Sequence, residues 1–262
     1  MITIVTATYN RASTIPRLYS SLCAQSCLDF EWVVVDDGSV DDTPKLLNEI
    51  SEASPFPIRV IQQKNGGKHV ALNTGAQNAL TPWILIVDSD DALVTSAVQT
   101  VITEIQGQAD RDVVGWCYRK AFFDMRLVGA RIDQDNCPKY LSPTEAGHLF
   151  KGDLAYVFKT ALLLRYKFPV FGTEKFVPEL YIWNKIGDEG HIRIHGNTVI
   201  YLCDYLEDGY SNNFSSNLRK NPIGFLTFYW SQIARERSFF YKVKYAIRSI
   251  QCCIYVMLKR FS

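Results

Sequence analysis

The 262-residue sequence predicts an α/β fold in which a mainly parallel sheet is flanked by helices and followed by a C-terminal helical tail. Three runs carry that expectation: Ile2-Thr3-Ile4-Val5-Thr6, Trp32-Val33-Val34-Val35 and Ile84-Leu85-Ile86-Val87 are strongly apolar and β-branched, and each stops abruptly in polar side chains. Apolar strands alternating with helices form parallel sheets covered on both faces. Right-handed crossovers gather successive strand ends on one edge, and open α/β sheets bind ligands at that carboxyl edge.

The elements follow in order. The first strand runs into Ala7-Thr8-Tyr9-Asn10-Arg11, and Ile15, Leu18, Leu22 and Cys23 mark a helix over 13–25. The second strand runs into Asp36-Asp37-Gly38-Ser39, and Thr43-Pro44 opens a helix over 41–50. A strand over 58–63, the loop Lys64-Asn65-Gly66-Gly67-Lys68-His69 and a helix over 70–79 make a third unit. The Ile84 run ends in Asp88-Ser89-Asp90-Asp91, after which 94–105 reads as helix and 112–118 and 122–132 as strands. From Pro138 the regular alternation is lost. Helices are expected over 144–150, 160–166 and 178–186, a strand over 198–203, and a helical tail from Pro222. Three parts result: a ligand-binding half over 1–118, a wall over 119–210 that closes on it and holds a second substrate, and the tail over 211–262.

Composition narrows the function. The 28 basic side chains nearly balance 27 acidic ones, so global charge indicates no nucleic acid partner. The seven cysteines are odd in number and contain no CxxC pair, as expected for free thiols in a reducing cytoplasm. The chain opens on a strand rather than a signal peptide, and no apolar stretch reaches the roughly 18 residues of a membrane-spanning helix.

The acids at 88–91 carry the chemistry. Carboxylates crowded at a strand end repel one another unless a cation or solvent neutralises them. An oxygen-only set at this spacing suits Mg²⁺ or Mn²⁺ with a bound diphosphate; an acidic turn is the alternative. Tyr9 at a strand end can stack on a base, and Gly66-Gly67 lets backbone approach a ligand with Lys68 supplying charge opposite phosphate. No Gly-Lys-Ser/Thr follows with Walker spacing, which disfavours ATP or GTP hydrolysis.

The blocks Val-Thr-Ala-Thr-Tyr-Asn-Arg, Val-Val-Asp-Asp-Gly-Ser-Xaa-Asp, Asn-Gly-Gly-Lys-His-Xaa-Ala-Leu-Asn-Xaa-Gly and Val-Asp-Ser-Asp-Asp, in this order over residues 2 to 91, resemble family 2 glycosyltransferases. The resemblance implies a GT-A fold with a Rossmann-like sheet, and inverting transfer of a sugar from a nucleotide sugar, UDP-linked, with Mn²⁺ or Mg²⁺. It implies that Thr8 and Tyr9 meet the donor base, that Asp37, with Asp36 beside it, hydrogen-bonds that base, and that Asp88 and Asp90 are the acids of a DxD motif, facing ribose and metal respectively. Asp91 then supports the turn. Ala7 departs from the Pro or Thr common there. Pro178-Glu179, with Trp183 four residues on, resembles the family's Glu-Asp block and makes Glu179 the expected base, although Asp is commoner at that position. Glu174 is the reserve base. Segment 207–211 is a candidate lid that lacks the family's His or Arg, so the third metal ligand is unassigned. Asp153 is a candidate contact to donor sugar or acceptor, and the four histidines are expected to be structural.

The resemblance also implies a saccharide or lipid-linked saccharide acceptor and a place in surface polysaccharide biosynthesis. Two alternatives are a sugar nucleotidyltransferase, which usually carries a glycine-rich loop after its first strand, and a non-catalytic nucleotide-sugar or saccharide-binding protein. The tail from Phe239 is apolar, aromatic and basic. That is the composition of a helix on an anionic membrane surface, of one packing on a partner subunit in a homo-oligomer, or of one covering the protein's own core.

Overall fold

A computed structural model describes residues 1–204, apart from 109, 111, 134 and 136, and residues 213–260. Four parallel strands form its first half: β1 (Ile2–Thr8), β2 (Phe30–Asp36), β3 (Ile58–Gln62) and β4 (Trp83–Ile86). Helices α1 (Ile15–Cys23), α2 (Thr43–Ala53) and α3 (Lys68–Gln77) connect them. Their order across the sheet is β3-β2-β1-β4, so the chain winds outward from β1 and then returns to its other side. That reversal makes a switch point between the carboxyl ends of β1 and β4, where such sheets open a crevice.

The second half continues the same sheet. A two-residue strand β5 (Ala92–Leu93) precedes α4 (Ala97–Gln106), and then come β6 (Val113–Ala121), α5 (Pro143–Phe150), β7 (Leu154–Lys159), α6 (Thr160–Arg165), α7 (Leu180–Gly187) and β8 (His191–Leu202). The full order is β3-β2-β1-β4-β7-β6-β8-β5. β7 runs antiparallel to β4 and β6, while β6 and β8 are parallel. The sheet is therefore mixed, parallel through its first four strands. The boundary expected at residue 118 falls inside β6, so the two halves share one sheet.

Alternation along the strands builds the core. Ile2, Ile4, Trp32 and Val34 face α1, α2 and α4, whereas Val5, Val33 and Val35 face the layer of α3, α5, α6 and α7. The tail is α8 (Phe214–Lys220), α9 (Pro222–Arg235) and α10 (Phe239–Arg260), with a small core of Leu218, Phe225, Tyr229 and Cys252.

Two expectations need correction. Residues 122–132 do not form a strand; a single bridge pairs Ala121 with Leu127. Phe122 and Met125 close a turn, Asp124 accepts from the Arg126 amide, and Met125 and Gly129 take φ of 66° and 79°, which ends extended backbone. The strand that takes that place in the sheet is β7, for which the sequence analysis had no element, because its six residues lie between two helices with no room for a periodic signal.

Candidate active site

The site begins at the end of β1. Thr8 is buried with its hydroxyl unpartnered, Tyr9 is 45% exposed, and Asn10 turns the chain with φ 52°, a conformation Asn tolerates. The β1–α1 loop is zipped to the β2–α2 loop: the Asn10 amide donates to Ser39 Oγ (2.8 Å), Arg11 to Thr43 Oγ1 (2.9 Å) and Ala12 to Asp41 Oδ2 (3.2 Å). Tyr9 is thereby presented on an open cleft of about 1490 Å³ that also receives Asp37, Lys68, Asp88, Asp90, Glu179 and Asp153. Its volume exceeds the several hundred Å³ of an ordinary small-molecule site.

The paired acids at the end of β2 separate. Asp36 is buried, accepts from the Ser39 amide at 3.0 Å and does not line the cleft, so the expected contact with a base is not what its geometry offers. Adjacent side chains of an extended strand point to opposite sides. Asp37 lines the cleft, but its Oδ1 accepts from Gly66 N (2.8 Å) and Gln63 Nε2 (2.7 Å) and its Oδ2 from Gly67 N (2.7 Å). The glycine loop therefore gives its amides to Asp37 and not to a ligand. Gly67, at φ 95°, is needed for a different close approach, since a Cβ there would overlap the Lys175 carbonyl.

That approach fixes the opposite wall. Lys175 donates through its ammonium to the Asn65 carbonyl and through its amide to Asn221 Oδ1 (2.7 Å). Glu174 is buried, and its oxygens accept from the Ile223 (2.9 Å) and Gly224 (2.8 Å) amides of the first turn of α9. Those are orphan N–H groups of a helix start, which a carboxylate stabilises. Glu174 is thus a cap and is not available as the reserve base. Thr173 and Lys175, on either side of it, face the cleft.

Glu179, at the start of α7, faces the cleft with Trp183. Lys68, the first residue of α3, bridges it to the β4 acids, its Nζ lying 2.6 Å from Asp88 Oδ1 and 2.8 Å from Glu179 Oε1. Burial opposes the charge on Lys68, and the two carboxylates outweigh it, holding the ammonium well above its usual range. Asp88 is half-buried, which opposes its charge, yet Lys68 and Lys120 keep it below the carboxylate range.

The neighbouring acids are less well compensated. Burial and then the Asp88 carboxylate push Asp90 up. Asp91, buried near Asp88 and Asp90 and pulled back by Lys120, is raised to about 7. A turn stabilised by the Asp91 amide donating to the Asp88 carbonyl (3.2 Å) aims this cluster, with the Asp88 amide donating to Tyr201 Oη (2.8 Å). Acids raised in this way are the donor set a hard divalent cation relieves, and Mg²⁺ or Mn²⁺ can rest on one or two carboxylates plus phosphate oxygens. Among the described residues no three His, Cys, Asp or Glu side chains gather in metal-holding geometry. The candidate lid at 207–211 lies outside the described residues.

Two contributors escaped the sequence analysis. Lys120, at the end of β6, lines the cleft, stands 3.9 Å over the Tyr201 ring and is held in its charged form, against burial, by Asp88, Asp91 and Asp153. Its signal was available, since lysine is almost never buried without a partner and it sits in the run Val113–Ala121. Arg17 of α1 donates to the Asp90 carbonyl and steadies the turn, with nothing in its sequence context to mark it. None of the four histidines lines the cleft.

The profile of Glycosyl transferase family 2 matches residues 3–157, more than half of the chain. The chain belongs to this family. As a family 2 glycosyltransferase it is 38% identical over 158 residues to succinoglycan biosynthesis protein ExoO of Rhizobium meliloti, covering 58% of this chain and 44% of that one. The chain thus spans less than half the length of that relative. Among solved structures, S. aureus TarS 1-349 in complex with UDP-GlcNAc superposes with a TM-score of 0.61 at 17% identity, covering 97% of this chain and 72% of TarS. Mannosyltransferase PcManGT from Pyrobaculum calidifontis, in complex with GDP-Man and Mn²⁺, gives 0.61 at 18% identity, covering 100% and 75%. At such identities the likeness is one of fold, and that fold is GT-A.

Proposed function

We propose that this family 2 chain is a metal-dependent inverting glycosyltransferase that moves a hexosyl or N-acetylhexosaminyl unit from a UDP-linked sugar to a saccharide or lipid-linked saccharide. The observation that carries this reading is the convergence of Asp88, Asp90 and Glu179 on one cleft at the β1/β4 switch point, with the unpartnered Thr8 hydroxyl and the exposed Tyr9 ring on the same cleft. TarS with UDP-GlcNAc and PcManGT with GDP-Man and Mn²⁺ support a nucleotide-sugar donor on this fold. ExoO, a succinoglycan biosynthesis protein, supports a role in surface polysaccharide assembly. All seven cysteines are free, which fits a cytoplasmic setting.

Tyr9 stacks on the base, while the Thr8 hydroxyl and the one remaining lone pair of Asp37, on Oδ2, are available to its polar edge. Asp90, with Asp88 beside it, would hold Mn²⁺ or Mg²⁺, whose chemistry is neutralisation of charge on a departing diphosphate. Glu179 takes the proton of the acceptor hydroxyl as that oxygen attacks the anomeric carbon from the face opposite the diphosphate. The new C–O bond forms while the bond to the diphosphate oxygen breaks, and configuration inverts.

Glu179→Gln keeps the shape and removes the base. Transfer with Mn²⁺ should fall by about 10²–10⁴-fold while UDP binding persists. Undiminished turnover in that variant would overturn the assignment, and a wild-type chain that binds UDP but neither transfers nor hydrolyses the sugar would favour a binding protein.

A further inference from the structure

The tail presents a surface that sugar transfer leaves unused. α10 is 22 residues long, and Tyr245, Ser249 and Cys252 on its inner face pack toward α9, with Tyr245 stacked on Tyr229 at 5.7 Å. At 3.6 residues per turn, Phe240, Val243, Ile247, Ile250, Ile254 and Met257 form one stripe on the opposite face. All six are exposed, Ile247 and Ile250 by 60% and 62%. Lys242 and Lys244, also exposed, fall on opposite flanks of that stripe.

Charge argues for what covers it. After residue 212 the sequence carries nine basic side chains and one acid, Glu236, which is buried; the residues before it hold the other 19 basic side chains against 26 acids. A second copy of this helix would set lysine against lysine with no acid in α10 to separate them, and like charges opposed across an interface disfavour association. An anionic bilayer suits both features, because the acyl boundary covers the stripe and phosphate headgroups meet the flanking lysines.

We propose that α10 seats this protein on an anionic lipid surface, its apolar stripe in the acyl boundary and Lys242 and Lys244 at the headgroups. The docked helix is tied to the cleft. The Lys259 ammonium donates to the Lys220 carbonyl, the Arg219 guanidinium lies 5.6 Å from the Tyr255 ring, and Ser216, Asn217 and Lys220 of α8 line the cleft. Docking therefore holds a cleft wall beside the membrane, so that a lipid-linked acceptor reaches it from the bilayer. That consequence rests on the transferase reading, whereas the docking itself does not.

The test is sedimentation of the full chain with vesicles of phosphatidylcholine alone and of phosphatidylcholine with phosphatidylglycerol. Binding is expected to the anionic vesicles only. It should drop at least about tenfold in an Ile247→Asn/Ile254→Asn variant and about tenfold in a Lys242→Gln/Lys244→Gln variant. Absence of binding, equal binding to neutral vesicles, or binding indifferent to the isoleucine pair overturns the proposal. So does a wild-type dimer in light scattering that the isoleucine variant dissolves, which would give the stripe to a second copy. Hydrolysis of a UDP-sugar with Mn²⁺, measured on the same proteins, should be unchanged, since none of the four residues lines the cleft. Its absence in the wild type sinks the transferase reading and leaves the docking standing.

Discussion

Lys68 keeps Asp88 and Glu179 from repelling each other, its ammonium lying 2.6 Å and 2.8 Å from their oxygens. Lys68→Met should lower the unfolding free energy by about 1–3 kcal/mol in urea titrations, because it leaves two part-buried carboxylates uncompensated. Much of that loss should disappear in Lys68→Met/Asp88→Asn, where one repelling charge is gone, and a strictly additive double mutant would refute the coupling. Residue by residue, the sequence marked where acids stand but not what each one touches. Asp36 and Asp37 are neighbours, as nearly are Glu174 and Glu179, yet in each pair one side chain reaches the cleft and the other is turned away from it onto backbone amides. The difference comes from strand alternation in the first pair and from a helix start some fifty residues away in the second, and neither can be read from a local motif.

Among the elements, α9 shows how a distant helix holds one wall of the cleft. Asn221 precedes Pro222, whose missing N–H costs nothing at a first helical position, and Glu174 accepts from the next two amides. Glu174→Ala should therefore cost about 1–3 kcal/mol in chemical denaturation, since it strands one buried and one part-buried N–H group. Glu174→Gln, which keeps one acceptor oxygen, should recover part of this. If Glu174 were a base, both variants would lose turnover while stability held. Elements with strong local signals, such as β1, α2 and α7, were legible within a few residues. β7 and the first half of β8 were not: β7 is six residues between helices, and β8 begins in the mixed run His191-Ile192-Arg193-Ile194-His195, which alternates burial without looking apolar.

For the whole molecule, the parallel βα units of the first half were legible in the sequence, whereas their order β3-β2-β1-β4 and the joining of the second half through antiparallel β7 depend on pairings that are long-range in sequence. The resulting cleft draws residues from Ala7 to Asn221, so a ligand filling it contacts both halves of the sheet and the tail. Binding to the native state alone stabilises all of it by RT ln(1 + [L]/Kd), about 2.7 kcal/mol at a hundred times Kd. At roughly 2–4 °C per kcal/mol for a chain of this size, saturating UDP with Mn²⁺ should raise the melting temperature by about 5–10 °C. UDP alone should raise it less, because Asp90 is already pushed up by burial and by Asp88 and gains most from a cation between it and phosphate. Asp90→Ala should erase the Mn²⁺ increment while keeping the shift due to the nucleoside, for which the proposed function assigns Thr8, Tyr9 and Asp37 at the other strand ends. An equal Mn²⁺ increment in wild type and Asp90→Ala, read by differential scanning calorimetry, would place the metal elsewhere.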